Sequence, residues 1–381
     1  MKRILYVATG DIVRGGIQKC IQSWVENFPH RDELDITWCC PGRDVNREYY
    51  EYLLSLGIRI VACNISSGKG IHDPKFRRDL DNLLKKNTYD IVHINAGGIL
   101  SEYCAVKVAK KHNIPMVIAH SHSVPKMSRA KRIVAPFFRW QIAKNCDLLL
   151  ACSDMAGIHM FGKAAIKGEK YHLIRNGIQI EQYTFHADKR DEIREKADCG
   201  GEAVFGYIGR FSWEKNPLFM LSVFSEIHKK DNNTVLWMAG DGELRPTIEE
   251  KIKVLGLSDC VTLWGERSDV NELMQGMDVF LFPSVYEGLG IAAIEAQAAG
   301  LPVYASDTIP REAEVTELIR FLPLSDGAEK WAETILKDME NQAPRRDTSE
   351  QIRAAGYDIR ECAEALERLY FASSYSSEKY G

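Results

Sequence analysis

The sequence has no apolar run of the roughly 20 residues that a membrane-spanning helix requires. Its 381 residues are 45% hydrophobic and 27% charged, a balance typical of globular proteins. The first eight residues place basic side chains before a short apolar run, which Gly10, Asp11 and Arg14 then interrupt. That run is too short for a signal peptide, so it predicts a buried first strand. The length suffices for two domains of ordinary size.

The sequence also lacks the spacings that mark zinc, disulfide and dinucleotide sites. None of its ten cysteines forms a C-x-x-C pair, and Cys39 and Cys40 are adjacent in a predicted strand, where they would point to opposite faces. Gly15-Gly16, after the first predicted strand, lacks the G-x-G-x-x-G spacing of an NAD site, and no Asp-x-Asp follows a predicted strand. We therefore expect reduced, buried thiols in a cytoplasmic protein that needs neither a cofactor nor a metal ion.

Acidic residues are scarce in the first half of the chain. Residues 1–180 carry 27 Lys and Arg against 16 Asp and Glu, a balance of +11, whereas residues 181–381 carry 22 against 37, a balance of −15. Opposite charge in the two halves predicts two domains with different partners. The mildly acidic chain as a whole, without a recognition motif, argues against nucleic acid as one of them.

Apolar stretches of strand length alternate with amphipathic stretches of helix length along the whole chain. This alternation predicts parallel sheets with helices on both faces, here two doubly wound, Rossmann-like α/β domains, 1–180 and 181–357. Ligands of such folds bind at the carboxyl ends of the strands, so we expect a site in a cleft where the two domains face each other. The predicted strands are 3–8, 35–39, 58–62, 90–94, 115–119, 147–151 and 171–174, then 203–208, 234–239, 260–264, 278–282, 302–305 and 319–322.

Two glutamates, Glu287 and Glu295, stand between predicted strands 278–282 and 302–305. Glu287 falls in a loop and Glu295 in an otherwise apolar helix, where a lone carboxylate needs a partner. The open amides of a helix start suit a phosphate or a sugar oxygen, and glycines let the backbone approach a ligand closely. That start consists of Gly288, Leu289, Gly290 and Ile291. The arrangement predicts a nucleotide-sugar site.

With these residues the sequence resembles the retaining family 4 glycosyltransferases, enzymes of the two-domain GT-B fold, and among them those that build bacterial capsules and exopolysaccharides. The resemblance extends over nearly the whole chain, and it implies that a last helix, about 358–381, returns to the N-terminal domain. Its motifs are Gly15-Gly16, His120-Ser121-His122, Asn176-Gly177-Ile178, Gly209-Arg210-Phe211-Ser212-Trp213-Glu214-Lys215-Asn216 and the 287–295 segment.

The resemblance implies a role for each matching residue. Arg210 and Lys215, which follow the end of a predicted strand, would hold the donor diphosphate, and Glu295 would bind the ribose. Glu287 and His120 would contact the transferred sugar and are the candidate catalytic residues. Whether Glu287 acts as a covalent nucleophile or only orients the sugar and stabilises charge stays open.

Two glycines complete the predicted donor site. Gly265 ends a strand whose loop, by resemblance, reads the nucleotide base, although the neighbouring Trp264 is equally consistent with a core residue. Backbone amides at Gly16 are expected to face the donor phosphates or the acceptor. His120 and His122 have a spacing that two metal ligands can use, but no third ligand accompanies them.

The stretch 124–145 combines basic residues with Phe137, Phe138 and Trp140 and contains no acid. It predicts either a solvated basic face or a surface that meets anionic lipid or a lipid-linked diphosphate acceptor. Its basic residues are Lys126, Arg129, Lys131, Arg132, Arg139 and Lys144.

The expected activity is transfer of a hexosyl or N-acetylhexosaminyl unit from a nucleotide sugar, with a UDP-sugar as the expected donor, to a hydroxyl of a glycan or lipid-linked acceptor. The reaction would retain the anomeric configuration and serve polysaccharide biosynthesis, in the cytoplasm or peripherally at the inner face of the plasma membrane. One alternative is a GT-B sugar-nucleotide epimerase, which acts on the donor alone. A non-catalytic nucleotide-sugar binder is disfavoured by the intact charged residues at 210, 215, 287 and 295.

Overall fold

The structure is a computed structural model of the chain, and it describes residues 1–8, 10–12, 15–42, 44–64, 71–124, 127–341 and 343–375. The chain forms two compact units. The N-terminal unit comprises residues 1–178 together with the described residues from Asp358 onward, and the C-terminal unit comprises Gln179–Tyr357. The chain therefore passes from one unit to the other at 178/179 and returns at 357/358. The sequence analysis predicts these two boundaries at 180/181 and 357/358.

The N-terminal unit contains a parallel sheet, which confirms the predicted α/β class for this half. Its described strands are β1 (Lys2–Ala8), β2 (Leu34–Pro41), β3 (Arg59–Cys63), β4 (Ile91–Asn95), β5 (Met116–Ser121), β6 (Leu148–Ala151) and β7 (Tyr171–Leu173), in the spatial order β3-β2-β1-β4-β5-β6-β7. Apolar cores cover both faces of the sheet. Cys39 lies in one core and Cys40 in the other, as the alternation of side chains along a strand requires.

Helices follow the strands of this unit: α1 (Gly16–Asn27), α2 (Arg47–Ser55), α3 (Pro74–Lys86), α4 (Ile99–Ala109), α5 (Arg129–Asn145) and α6 (Asp154–Phe161). Four of them begin after a side chain that accepts a hydrogen bond from a backbone N–H of the first turn. These N-cap residues are Asn46, Asp73, Ser128 and Ser153. Such short polar side chains satisfy an otherwise unpaired donor, so the local sequence sets where these helices start.

The C-terminal unit contains a second parallel sheet with the spatial order β10-β9-β8-β11-β12-β13. Its described strands are β8 (Ala203–Ile208), β9 (Thr234–Ala239), β10 (Val261–Gly265), β11 (Val279–Phe282), β12 (Val303–Ser306) and β13 (Ile319–Leu322). Its described helices are α7 (Ile180–Tyr183), α8 (Ala187–Lys196), α9 (Pro217–Lys230), α10 (Arg245–Val254), α11 (Val270–Gly276), α12 (Ile291–Ala298), α13 (Gly327–Met339) and α14 (Ser349–Ala354). The two Rossmann-like domains are thus confirmed.

The last described helix, α15 (Ile359–Tyr375), belongs to the N-terminal unit and packs against α1. The Ile359 N–H donates to the Ile178 carbonyl at 3.0 Å, beside Gly177. A Cβ at Gly177 would lie 2.6 Å from the Ile359 Cα, so this position of the Asn-Gly-Ile motif has no room for a side chain. Residues 376–381 of the predicted returning segment lie outside the described residues. No described helix is both long and apolar enough to cross a membrane.

Candidate functional site

Glu287 lies in the loop between β11 and α12, where several side chains bind its carboxylate. Lys215 Nζ donates to Oε1 at 2.6 Å and to Oε2 at 2.8 Å, and the Ser284 hydroxyl donates to Oε1 at 2.7 Å. The Glu287 side chain is 8% exposed and that of Lys215 is 30% exposed. The structure thus brings together a predicted diphosphate ligand and a predicted sugar ligand as one charge-assisted pair.

Backbone hydrogen bonds join the two loops that carry this ion pair. The Glu214 carbonyl accepts hydrogen bonds from the N–H groups of Val285 at 2.8 Å and Tyr286 at 3.4 Å. The Asn216 side-chain amide donates to the Pro283 carbonyl at 3.2 Å. Because the loops after β8 and β11 are linked through main-chain atoms, the geometry of the ion pair does not depend on side-chain contacts alone.

The start of α12 presents unblocked backbone donors next to this pair. Gly290 precedes the helix with a left-handed backbone, φ +90°, and no described side chain caps the helix or places an acid in its first turn. A helix start of this kind carries unpaired N–H groups and the positive end of the helix dipole. Leu289 is buried, and Gly288 and Ile291 are half-buried. Because none of these residues has a polar side chain, the segment can offer a ligand only its backbone groups.

Glu295 lies in the second turn of α12, and its carboxylate is almost completely buried. The Tyr183 hydroxyl donates to Oε1 of Glu295 at 2.7 Å. Burial and the neighbouring Glu295 carboxylate raise the pKa of Tyr183 well above its usual value. Tyr183 is outside every motif that the sequence displays, so sequence reasoning missed it.

Arg210 follows β8 but does not share the contacts of Lys215. Its side chain is 73% exposed, and its guanidinium lies 3.6 Å from the Glu243 carboxylate. Arg210 and Lys215 nevertheless share a neighbour, Glu214. The pKa of Glu214 is lowered mainly by hydrogen bonds from its own backbone N–H and from the Ser212 side chain, and further by the positive charges of Arg210 and Lys215. Arg210 and Lys215 are therefore close enough to influence one carboxylate, although only Lys215 contacts Glu287.

The end of β10 is open at Gly265, where a Cβ would meet no atom within 4 Å. The half-buried Trp264 packs edge-to-face against Trp237, with ring centroids 5.7 Å apart. The Arg267 guanidinium lies 5.1 Å above the Trp264 ring. Trp264 therefore packs against a buried residue on one side and a charged surface residue on the other, and the base-reading role of this loop stays a prediction.

The predicted sugar ligand His120 belongs to a buried group of three imidazoles, His93, His120 and His122, which we call the histidine cluster. His120 has no exposed surface, and its ring stacks on that of Trp24, at 5.1 Å, and on that of His122, at 4.2 Å between centroids. Its Nδ1 lies 3.1 Å from His93 Nε2. His122 is also buried but retains 9% of its surface exposed, so it is the less covered of the two histidines in the His-Ser-His motif.

Hydroxyl and amide groups extend the hydrogen bonding of the histidine cluster. The Tyr370 hydroxyl of α15 lies 2.7 Å from His93 Nδ1 and 2.6 Å from the Tyr6 hydroxyl. His122 Nε2 lies 2.7 Å from the Asn95 side-chain oxygen, and its Nδ1 faces Asn176 at 3.4 Å. These contacts are long-range, and only Asn176 belongs to a motif that the sequence singled out.

The three imidazoles are uncharged at neutral pH. Burial is the main cause that lowers the pKa of His93 and His120 well below the ordinary value, and it lowers the pKa of His122 to about 4. Neutral rings can stack without charge repulsion, and each has one donor and one acceptor nitrogen. The cluster can therefore relay hydrogen bonds from α15 to the carboxyl end of β5 without carrying charge.

Gly16 begins α1 at the carboxyl end of β1, after Gly15. No described side chain caps this helix, and a Cβ at Gly16 would meet no described atom within 4 Å, so these surroundings leave room for a ligand. The neighbouring Gln18 is buried, and its side-chain amide donates to the Asp11 carbonyl at 3.1 Å. The proposed contact of Gly16 with phosphate or acceptor stays a prediction.

Within the acid-free stretch 124–145, residues 129–145 form α5, and Pro125 and Lys126 lie outside the described residues. Ile133, Phe137 and Trp140 lie at positions i, i+4 and i+7 of the helix, and each is more than half exposed, Ile133 by 80%. Phe138 instead is half-buried and packs on Tyr103, 4.9 Å between centroids, so the expectation that it belongs to the exposed surface is wrong. We call the exposed side of this helix the α5 face.

The described residues contain no group of three or more His, Cys, Asp or Glu side chains arranged to hold a metal ion. Lys215, Arg210 and the start of α12 are the groups that could instead meet a diphosphate. Independence of a metal ion stays a prediction.

Two family models match the chain. Glycosyltransferase Family 4 matches residues 14–182, and Glycosyl transferases group 1 matches residues 188–355. A Bacillus subtilis (strain 168) protein named as the glycosyltransferase EpsF is 30% identical over 382 residues, which cover 98% of this chain and 97% of that protein. The Escherichia coli UDP-Gal:alpha-D-GlcNAc-diphosphoundecaprenol alpha-1,3-galactosyltransferase is 28% identical over 304 residues, 77% of this chain and 76% of that protein.

Solved structures share the fold over the full length of the chain. Anabaena HepE in complex with UDP superposes with a TM-score of 0.76 at 18% identity, covering 99% of this chain and 100% of that one. The sucrose-phosphate synthase of Thermosynechococcus elongatus gives a TM-score of 0.75 at 18% identity, with coverage of 99% and 100%. At this identity the likeness concerns the arrangement of the backbone.

Proposed function

This chain belongs to glycosyltransferase family 4 and has the GT-B fold, and from that premise we propose that it transfers a hexosyl or N-acetylhexosaminyl unit from a UDP-sugar. The acceptor is a hydroxyl of a glycan or lipid-linked saccharide in polysaccharide biosynthesis, and the anomeric configuration is retained. The observation that carries the proposal is the Lys215–Glu287 pair beside the uncapped start of α12. The Escherichia coli relative, whose name specifies a UDP-sugar donor and a lipid-diphosphate-linked acceptor, supports the choice of substrates.

The donor diphosphate rests on Arg210, Lys215 and the first amides of α12 in this proposal. A diphosphate offers more negative charge than one carboxylate, so it competes with Glu287 for the Lys215 ammonium. Glu287 then loses its hydrogen bonds from Lys215 and accepts hydrogen bonds from sugar hydroxyls instead. Arg210 can reorient at small cost because its side chain is exposed and its ion pair with Glu243 is long. Glu295 binds the ribose, and the loop after β10 meets the base.

Glu287 orients the sugar and stabilises positive charge at the anomeric carbon, rather than forming a covalent bond to it. The support is the Ser284 hydroxyl, which donates to Oε1 of Glu287 independently of Lys215, since a carboxylate oxygen that accepts a hydrogen bond is a weaker nucleophile. The acceptor hydroxyl attacks on the face from which the phosphate leaves, and the leaving phosphate oxygen accepts the hydroxyl proton. Lys215 and Arg210 offset the charge that develops on the phosphate, which is the task of a metal ion in other enzymes.

The sequence predicts His120 as a sugar contact, and the histidine cluster suggests a different division of roles. Because His120 is fully covered, we propose that His122 meets the substrate and that His120, stacked behind it, holds its ring in place. His122→Asn should then lower kcat/KM with little change in thermal stability, whereas His120→Asn should lower both. Full activity of His122→Asn together with loss of activity in a stably folded His120→Asn would assign the contact to His120 itself.

A donor and acceptor screen tests the proposed function. The purified chain is incubated with UDP-glucose, UDP-galactose and their N-acetylamino counterparts, with and without an isoprenoid-diphosphate-linked monosaccharide. Acceptor-dependent release of UDP and an α-linked product by proton NMR are expected. Interconversion of UDP-sugars without an acceptor would establish the epimerase instead, and thermal stabilisation by UDP-sugars without any turnover would establish a non-catalytic binder.

The α5 face is proposed as a contact with an anionic membrane. Its apolar stripe of Ile133, Phe137 and Trp140 is flanked by the exposed Arg129 and Arg132, a combination suited to acyl chains below and phosphate groups around them. Each basic residue near an anionic surface contributes about 1 kcal/mol, so several together support reversible attachment. Such attachment would place the enzyme peripherally at the inner face of the plasma membrane, next to a lipid-linked acceptor.

A further inference from the structure

Tyr183 is a buried residue of the C-terminal unit that touches a predicted donor ligand. Its hydroxyl lies 2.7 Å from Glu295 Oε1, and both side chains are almost completely covered. The phenol is the donor because an ionised carboxylate can only accept. Since burial and Glu295 raise the pKa of Tyr183, the hydroxyl keeps its proton at neutral pH and above.

The backbone around Tyr183 is held in place independently of Glu295. Gln275 of α11 donates from its side-chain amide to the Tyr183 carbonyl at 3.0 Å, and its side-chain oxygen accepts from the His186 N–H at 2.9 Å. The short helix α7 that ends at Tyr183 packs against α11, α12 and α14. The phenol therefore approaches Glu295 from a fixed position.

This contact differs in kind from the one at Glu287. Lys215 brings a positive charge to Glu287, whereas Tyr183 is uncharged, so it sets the direction of the Glu295 carboxylate without neutralising it. A carboxylate has about four lone-pair sites, so one phenol leaves capacity for further donors. The two hydroxyls of a ribose are such donors, and an ionised acceptor makes the bonds to them strong.

We infer that Tyr183 is a positioning residue that orients Glu295 toward the ribose hydroxyls of the donor nucleotide. The inference rests on the proposed function in one respect, the assignment of Glu295 to the ribose. It adds a specificity-determining residue that lies 112 positions away from Glu295 in sequence. Loss of the phenol hydroxyl should weaken the recognition of ribose and leave the contacts with diphosphate and base intact.

The test measures the affinities of UDP and 2′-deoxy-UDP for the full chain by isothermal titration calorimetry. The variant is Tyr183→Phe, which keeps the ring and removes only the hydroxyl. Tyr304→Phe is the matched control, because Tyr304 is equally buried in the same unit and donates to the Asp338 carboxylate at 3.1 Å. Glu295→Gln serves as the reference for loss of the carboxylate charge, and thermal unfolding checks that each variant is folded.

The wild-type chain should prefer UDP over 2′-deoxy-UDP by about tenfold, the order expected for a charge-assisted hydrogen bond. Tyr183→Phe should lose most of this preference by weakening UDP alone, and Tyr304→Phe should keep it. Equal weakening of both nucleotides, or of neither, would make Tyr183 a purely structural residue. If Glu295→Gln abolishes the preference and Tyr183→Phe does not, the inference fails while the ribose assignment stands. If Glu295→Gln keeps the preference, the ribose assignment fails and the inference fails with it.

Discussion

Replacing Lys215 with Ala removes the cation that the structure places against Glu287. In the proposed mechanism this ammonium offsets the charge of the departing diphosphate. Removal of a comparable charge-stabilising donor costs about 2–4 kcal/mol in the transition state. At 1.36 kcal/mol per factor of ten, kcat/KM should fall roughly 30- to 900-fold. The kcat/KM of Arg210→Ala should fall by a factor in the same range, since Arg210 is assigned to the same diphosphate.

The same substitution also has a predictable effect on folding. Glu287 is 8% exposed and would keep the Ser284 hydroxyl as a donor while losing both bonds from Lys215. A covered charge that loses its partner costs about 1–3 kcal/mol, and water entering the partly exposed Lys215 position should place the cost in the lower part of this range. The midpoint of thermal unfolding should fall by roughly 2–4 °C for each kcal/mol in a domain of this size.

A second substitution separates the two effects. In the double variant Lys215→Ala with Glu287→Gln, the unpaired charge is gone, so the thermal stability should recover. Its activity should stay low, because it also lacks the Glu287 carboxylate assigned to the sugar. Lys230→Ala is the control, since Lys230 forms an exposed ion pair with Glu333 at 3.0 Å in the same unit. Exposed pairs contribute about 1 kcal/mol or less, so the control should keep its stability and its kcat/KM.

Initial rates with the donor and acceptor found in the screen, together with thermal unfolding of each variant, provide the measurements. Near-wild-type kcat/KM in both Lys215→Ala and Arg210→Ala would refute the assigned diphosphate site. A wild-type kcat/KM of Lys215→Ala when it is assayed well below its unfolding midpoint would show that Lys215 only supports the fold of the loop.

Three further predictions concern metal, pH and membrane. Turnover should persist in excess chelator, because protein cations serve the diphosphate; complete loss that Mn²⁺ or Mg²⁺ restores would contradict this. The histidine cluster is neutral in the folded state and its pKa values are depressed, so its contribution to the free energy of unfolding should be complete above about pH 6.5. This contribution should fall as the pH drops toward the folded-state pKa of His122, about 4. His122→Asn should make the loss of stability with falling pH shallower, and an unchanged slope would contradict a role of His122 in this loss. Changing Arg129 and Arg132 to Gln should reduce sedimentation with anionic liposomes. The control changes Lys163 and Lys167 to Gln, which gives the same net charge, and it should sediment more than the Arg129 and Arg132 variant. Equal binding of the wild-type chain to neutral and anionic liposomes would exclude the α5 face as an anionic-lipid contact.

The fold class could be predicted from the sequence because its signals are local. Strand-length apolar runs, amphipathic helices and N-cap residues act over a few positions, and the predicted strands all appear in the structure. The loop position of Glu287 and the helical position of Glu295 follow from the same patterns. The helical nature of α5 was less evident, since its dense basic charge suggested a surface and not an element of secondary structure.

The partners of the site residues could not be predicted in this way. The Lys215–Glu287 pair spans 72 positions, the Tyr183–Glu295 bond spans 112, and the contact between Tyr370 and His93 spans 277. No local propensity encodes such contacts, because they exist only after strands have been ordered into a sheet and helices packed on it. The burial of Phe138 beside the exposed Phe137 likewise depends on which side of α5 faces α4.

By itself the sequence determined that this chain forms two parallel α/β domains, that it resembles family 4 glycosyltransferases, and which acids and cations stand at the strand ends. Residue type and short-range periodicity suffice for these conclusions, since they set the backbone conformation of each segment. Only the tertiary structure decided that His120 is completely covered while His122 keeps a small exposed fraction, that Lys215 pairs with Glu287, and that the Tyr183 hydroxyl donates to Glu295. Burial and hydrogen bonding between distant segments decide these points, because they fix which polar atoms are satisfied within the protein and which remain for a ligand.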